Sequence, residues 1–338
     1  MRAWRGTVAS GLLLAVAACG GDGGGGGVGD ADVGTAGGAL QVLPDRGGEA
    51  AVLFTDYERA AGRAGLDDPG DDASDVGSYF LALSDEGVVF PSSIIQFAQV
   101  SRLEGSFADA TGFDATDVHA LVELGFGDDG FQVLGGDFDA DAIATAGGGS
   151  VDAGRIVLGD DETGIDGEAR GVLRGSIGSP VAFEVDGGLL YATRSVEVLD
   201  ELTGPGERLA DDGSMAAVAR VLDDAGVFAG AVDRTDDDPF DVVGIGVAGD
   251  RDDTSLVLAF AYPAGDEDEA AAHADALRDL VDTGESDHIG IEWSDRLTDV
   301  DVAADGVVVT LTAHLDADDA ELWQAILFQQ DNLVRAPD

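Results

Sequence analysis

Four pairs of short apolar runs, each pair joined by a turn of Asp and Gly, constrain the fold of this 338-residue chain most strongly. Continuous or alternating apolar runs bounded by such turns are typical of β-strands, and Asp-Gly favours tight hairpins. The paired runs are residues 118–126 with 131–134, 181–185 with 189–193, 242–248 with 255–262, and 300–302 with 307–312. Four hairpins predict antiparallel sheet.

Helical segments are predicted after several of these strands. They cover residues 57–64, 139–146, 195–202, 267–281 and 317–333. Asp56, Asp114, Asp139 and Asp316 stand where an N-cap carboxylate would accept backbone N–H groups. The pattern predicts an α+β fold with helices packed on one face of antiparallel sheets. Two ferredoxin-like halves, dividing near residues 204–206, would accommodate it.

The charge balance excludes one class of partner. The chain has 68 acidic residues and 17 basic ones, all of them arginine, which gives a formal charge of -51. A field of this size repels phosphate backbones, so the sequence excludes nucleic-acid binding. Arginine without lysine, with abundant Ala, Gly, Val and Asp, resembles the codon bias of GC-rich genomes such as those of actinobacteria.

The first 18 residues have the order of a secretory signal peptide. Arg2 and Arg5 precede an uncharged run over residues 6–18, which ends in small residues. This run is shorter than the roughly 20 apolar residues that a spanning helix needs. We therefore expect a signal peptide at residues 1–18 and no retained membrane span.

The segment Val16-Ala17-Ala18-Cys19 resembles the lipobox of bacterial lipoproteins. The resemblance implies diacylglyceryl attachment at Cys19, cleavage after Ala18, and anchoring by acyl chains such as palmitate at the outer face of the cytoplasmic membrane. Two or more chains make such an anchor durable. The alternative is an ordinary signal peptide with an incidental cysteine. Cys19 is the one cysteine of the chain, so an intramolecular disulfide is excluded.

A glycine-rich segment follows the cysteine. Residues 20–38 contain eleven glycines, a composition typical of a flexible coil that holds a domain away from the membrane. We therefore predict a linker at residues 19–39. An N-terminal α+β half at residues 40–205 and a C-terminal α+β half at residues 206–338 would follow.

One glycine motif needs an interpretation. Residues 244–249 match GxGxxG, but a dinucleotide site needs a helix to begin at the last glycine, and here a turn and a strand follow. We interpret the segment as a strand with one bare face packed closely on a neighbour. No cofactor is predicted.

Carboxylates are so frequent that pairs such as Asp139 with Asp141, or Asp299 with Asp301, are expected by chance. Residues 160–165 lack the spacing of an EF-hand loop, and so do the acidic runs 67–75 and 233–238. Weak divalent-cation binding and a dedicated calcium site both stay open.

The histidines show no metal-binding spacing. His119, His273, His288 and His314 are far apart in the sequence, with no HExxH pair, and we expect packed or hydrogen-bonded structural roles for His119 and His314 in strands. No serine occupies the centre of a GxSxG elbow, and no catalytic residue is assigned.

These observations favour a lipid-anchored extracytoplasmic lipoprotein with a binding or envelope-structural role. Two alternatives stay open: an extracytoplasmic hydrolase whose catalytic residues are dispersed in the sequence, and an acidic cation-binding surface domain. A cleft holding an acid with a strongly raised pKa would favour the enzyme, whereas a shallow or apolar groove would favour binding.

Overall fold

The computed structural model describes residues 32–48, 50–89, 94–125, 130–159, 171–175, 178–235, 239–316 and 319–335. The helices are α1 (Ala36–Val42), α2 (Tyr57–Ala64), α3 (Ala73–Asp85), α4 (Phe107–Thr111), α5 (Ala140–Gly147), α6 (Val196–Thr203), α7 (Gly213–Asp224), α8 (Glu267–Thr283) and α9 (Leu322–Phe328). The strands are β1 (Ala50–Asp56), β2 (Val118–Leu124), β3 (Phe131–Gly136), β4 (Ser150–Asp152), β5 (Arg155–Leu158), β6 (Val181–Asp186), β7 (Leu189–Thr193), β8 (Val227–Arg234), β9 (Val242–Ala248), β10 (Thr254–Ala261), β11 (Thr298–Asp305) and β12 (Val308–Leu315).

All of these strands form one sheet. Their order is β11-β12-β10-β9-β8-β1-β2-β3-β7-β6-β5-β4, and every neighbouring pair is antiparallel. The four predicted hairpins are confirmed as β2–β3, β6–β7, β9–β10 and β11–β12. The predicted α+β class with an antiparallel sheet is therefore confirmed.

The sheet is built from two halves with the same connectivity. Counted outward from the centre, one half runs β1-β2-β3-β7-β6 and the other runs β8-β9-β10-β12-β11, and β1 pairs with β8 where they meet. Each half is thus a three-stranded meander, a helix and a returning hairpin, with β4 and β5 added outside the first. The ferredoxin-like order differs, because it needs helical crossovers between parallel strands. The segment 204–206 lies between α6 and α7.

Helices cover both faces of the sheet. Side chains alternate across the pleat, so Leu53 of β1 packs on one side while Val52 and Phe54 pack on the other. The larger helical layer, which includes α2 to α5, α8 and α9, shares the side of Leu53. Helices α1, α6 and α7 cover the opposite side. The sequence predicts helices on one face of the sheet, and the larger helical layer corresponds to that prediction. A second helical layer covers the other face, because the central strands are apolar on both faces.

The folded domain begins earlier than the sequence predicts. Helix α1 starts at Ala36, and Val33 and Leu40 are buried against the sheet. The predicted linker over residues 19–39 therefore extends too far, because its last residues are part of the fold.

Glycines near α1 are required by close packing. A Cβ atom on Gly38 would lie 1.8 Å from the backbone oxygen of Asp32, and one on Gly37 would lie 2.8 Å from a carboxylate oxygen of Asp223. The Asp223 carboxylate accepts the N–H groups of Ala36 at 2.8 Å and Gly37 at 3.0 Å. This contact joins the start of the domain to α7, 187 residues later.

The GxGxxG segment is a strand, as predicted. Gly244 and Gly246 lie in β9, and a Cβ atom on Gly244 would lie 2.3 Å from Cγ1 of Val218 in α7. The bare glycine surface therefore lets α7 approach the sheet closely.

Two predicted N-caps are confirmed at α-helices. Oδ1 of Asp56 accepts the N–H of Arg59 at 2.8 Å, and Oδ1 of Asp139 accepts the N–H of Ala142 at 2.9 Å. Asp114 begins a 3₁₀ turn instead of an α-helix, and α9 begins at Leu322, six residues after Asp316.

The predicted last helix over residues 317–333 is shorter in the structure. It ends at Phe328, and Gln330 turns the chain with a φ of 48°. Asp331 is buried after this turn and accepts a hydrogen bond of 2.5 Å from the hydroxyl of Ser286. The helix still covers the sheet, because Trp323 and Ile326 are buried in the larger layer.

Candidate functional site

A cleft of about 310 Å³ opens between α2, α3 and the start of β2. We call it the bulge cleft. It is lined by Glu58, Ala61, Gly62, Leu66, Asp67, Asp68, Tyr79, Thr116, Val118 and His119.

Two short helices form the walls of the bulge cleft. Helix α2 follows β1 directly, with Asp56 as its N-cap, and ends at Gly65, which adopts the left-handed conformation with a φ of 64°. Oδ1 of Asp72 accepts the N–H of Ser74 at 2.9 Å and starts α3. The acidic loop between the helices brings Asp67 and Asp68 to the rim. Part of the predicted acidic run 67–75 is thus a cleft rim and part is a helix cap.

A β-bulge directs His119 into the cleft. Val118 pairs with Gly136 and Ala120 pairs with Gly135, so His119 is an extra residue on β2. A bulge turns the local strand and re-aims the inserted side chain. His119 is exposed and lines the cleft, so the packed role expected from its strand position is wrong. The sequence pattern does not show the bulge, because it depends on the register with β3.

Tyr79 supplies an aromatic wall. Its ring meets that of Phe80 edge-on at 5.7 Å, and the residue is partly buried. Burial raises the pKa of the Tyr79 phenol, and the nearby Asp68 carboxylate raises it further. The phenol therefore stays protonated in neutral solution and can donate a hydrogen bond. Tyr79 is not recognisable as a site residue from the sequence, because a tyrosine in an amphipathic helix has no distinctive signal.

Acidic groups continue beyond the rim. Partial burial raises the pKa of Asp114, and the negative charges of Asp117, Asp71 and Asp68 raise it further. The hydroxyl of Ser106 and the N–H of Ala108 hold the pKa of Asp71 below its usual value. These carboxylates lie close enough to act on one another, so this end of the sheet carries a concentrated negative potential.

A second groove adjoins this acidic end. It has a volume of about 650 Å³ and lies between α4 and α5. Asp109, Asp114, Asp117 and Asp141 line it. Asp139 lies outside its lining and caps α5, so Asp139 and Asp141, whose spacing is expected by chance, lie in a helix cap and in a groove.

The other histidines have separate surroundings. The Nδ1 atom of His273 lies 2.7 Å from the Tyr262 hydroxyl in a buried aromatic cluster, and burial lowers the pKa of His273 to about 4. His288 Nε2 lies 2.7 Å from a guanidinium nitrogen of Arg335. His314 Nδ1 lies 3.6 Å from a carboxylate oxygen of Asp253.

The remaining candidate residues do not converge on one centre. Cys19 and residues 160–165 lie outside the described residues. Asp299 and Asp301 lie on β11, at the edge of the sheet. Within the described ranges, no three His, Cys, Asp or Glu side chains are grouped to hold a metal ion.

Comparisons with protein-family models, with curated proteins and with solved structures found no match to this chain. In the part of the chain that the structure describes, no helix has the length and apolar character needed to cross a membrane.

Proposed function

We propose that this protein is a lipid-anchored extracytoplasmic lipoprotein whose folded domain binds a ligand outside the cell. The lipobox-like residues that end at Cys19 support the anchor. The bulge cleft is the observation that carries the binding role. Its lining combines apolar surface from Ala61, Leu66 and Val118 with acidic and other polar side chains that converge on one cavity, and such a mixed lining suits a small amphiphilic ligand.

The start of the folded domain agrees with a tethered arrangement. Residues 20–32 separate Cys19 from the buried Val33, and the glycine-rich composition predicts from the sequence a coil with an end-to-end distance of roughly 20 Å. Val33 packs against Gly135 near the end of β3, which is the end of the sheet that also carries the bulge cleft. A tether of this length would hold the cleft within reach of the membrane surface.

The anchor is tested by expressing the full chain in a bacterium that processes lipoproteins. We expect the protein in the membrane fraction, with intact mass spectrometry showing a mature chain that begins at an acylated Cys19. Cys19→Ser is the matched control and should leave the chain without lipid. A wild-type chain that keeps its first 18 residues, or carries an unmodified cysteine, would refute the anchor.

A further inference from the structure

We infer that the bulge cleft binds a small organic cation, whose ammonium group meets the acidic rim and whose apolar body lies on the cleft floor. The inference deepens the proposed binding role and rests on that role, and it does not depend on the lipid anchor.

The volume of the cleft sets the size of the ligand. A cavity of about 310 Å³ admits about ten non-hydrogen atoms, since one water molecule takes about 30 Å³ in the liquid. An amine with a short aliphatic or aromatic body is of this size.

The lining sets the charge and the shape of the ligand. Glu58, Asp67 and Asp68 place carboxylates at the rim, and no arginine contributes to the lining. Leu66 supplies apolar surface below them. The Tyr79 ring stands at the wall, where an aromatic face attracts an ammonium group held within about 6 Å. A cation with an apolar body satisfies both the rim and the floor, whereas an anion would be repelled.

Gly62 leaves part of the cleft unfilled. It lies within α2, where glycine is less favourable than alanine, and a Cβ atom added there would meet nothing within 4 Å. The chain itself therefore does not require glycine at this position for packing. Because Gly62 lines the cleft and an added Cβ atom would meet open space, position 62 is where a larger side chain can test whether the cavity is used.

The histidines provide a site-specific measurement. The chain has four of them, and His119 is the one that lines the cleft. We would label the histidine rings of the purified full-length protein with ¹³C and titrate it with phenethylamine at constant ionic strength. Saturable movement of the His119 resonance, with His288 and His314 unmoved, is the expected result.

Matched ligands test each part of the inference. The neutral isostere 2-phenylethanol lacks the ammonium group and should move the His119 resonance at least tenfold more weakly. Calcium chloride at the same ionic strength tests whether any cation suffices. Equal responses to amine and alcohol, or to amine and calcium, would overturn the inference, as would parallel movement of all exposed histidines.

Variants at position 62 test the location. Gly62→Leu fills the cleft and should abolish saturable binding, whereas Gly62→Ala adds one methyl group and should keep the affinity within about twofold. Asp67→Asn and Asp68→Asn should each weaken binding about fivefold, because an exposed ion pair contributes modestly. Unchanged binding in Gly62→Leu would place the amine elsewhere and refute the inference. An unacylated Cys19 would refute the anchor alone and leave these measurements intact.

Discussion

The two halves of the sheet share a strand order but differ in the connection between their first two strands. In the first half, residues 57–117 lie between β1 and β2 and include α2, α3 and α4. In the second half, residues 235–241 suffice to connect β8 to β9. The long connection creates the bulge cleft. The corresponding face of the second half is closed by aromatic side chains, with Phe240 packed on Phe260 at 5.1 Å.

The difference determines the environment of a histidine in each half. His119 is exposed at a bulge beside the long connection. His273 is 2% exposed, lies against the rings of Phe240 and Phe260, and has no described partner for its buried Nε2 atom. Strand patterns are similar in the two halves, whereas the connections differ: the long one leaves His119 exposed in a cleft, and Phe240 of the short one packs on His273.

The largest expected effect concerns Arg63, which links the long connection to the second half. Its Nε atom donates to Glu86 at 2.6 Å, and its other nitrogens donate to the backbone oxygen of Gly249 and to the Thr254 hydroxyl. The side chains of Arg63 and Glu86 are 2% and 5% exposed. Arg63→Met would leave the buried Glu86 carboxylate with the longer contact of 3.8 Å to the half-exposed Arg251, which should lower the free energy of unfolding by about 3–5 kcal/mol.

Urea unfolding followed by tryptophan fluorescence would measure this loss. The double variant Arg63→Met with Glu86→Met removes both charges and should recover most of the stability. If the single variant loses less than about 1 kcal/mol, a value typical of an exposed pair, the buried contacts of Arg63 contribute less than their burial predicts.

The next largest effect is a dependence of the unfolding free energy on pH, which arises from His273 in the second half. Burial lowers the pKa of His273 from 6.5 to about 4 in the folded protein. The unfolded chain therefore takes up a proton below pH 6.5, while the folded protein does so only near pH 4. Stability is fully present above pH 6.5 and falls by about 1.4 kcal/mol per pH unit between these values.

Comparison of the wild type with His273→Leu isolates this contribution from that of the carboxylates. The difference between their unfolding free energies should change by roughly 3 kcal/mol from pH 6.5 to pH 4. Tyr262→Phe removes the hydroxyl beside Nδ1 and should keep the pH dependence, because burial is the cause of the shift. A flat difference for His273→Leu would contradict the buried, neutral imidazole.

A smaller effect is expected where α7 packs on β9. Gly244→Ala would place a Cβ atom 2.3 Å from Cγ1 of Val218 and should cost about 1–3 kcal/mol through overpacking. Thermal unfolding measures the loss, and adding Val218→Ala should relieve it. A neutral Gly244→Ala variant would show that the helix layer of the second half is looser than its glycine surface indicates.

Local signals predicted much of the sheet but little of the site. The hairpin of β9 and β10 was predictable because its strands are joined by a short Asp-rich turn. The pairing of β1 with β8 joins segments about 180 residues apart, and no local pattern specifies it. Helix α1 was missed because its glycines resemble a linker, whereas Gly37 lies against Asp223 of α7 and Gly38 against the backbone of Asp32.

The bulge cleft likewise depends on contacts and strand register that local sequence patterns do not specify. A packed or hydrogen-bonded role was expected for His119, because alternation alone cannot show an extra residue in the register. Tyr79 and Leu66 come together only through the path of the connection between β1 and β2. A candidate ligand site made of ordinary residue types therefore becomes visible only in three dimensions.

The smallest expected effect separates stability from function in the open half. Gly62→Ala should raise the unfolding free energy by about 0.5–1 kcal/mol, because alanine is the better helix former and the added methyl group meets no other atom. Gly77→Ala in α3 is a matched control, because its Cβ would make an ordinary contact of 3.9 Å with Val100. Both should raise the melting temperature.

If the bulge cleft holds a ligand, enlarging the side chain further to leucine should reduce binding at position 62 and not at position 77, although each substitution again replaces a helical glycine. Equal effects at the two positions would show that helix stability, and not the space in the cleft, governs binding.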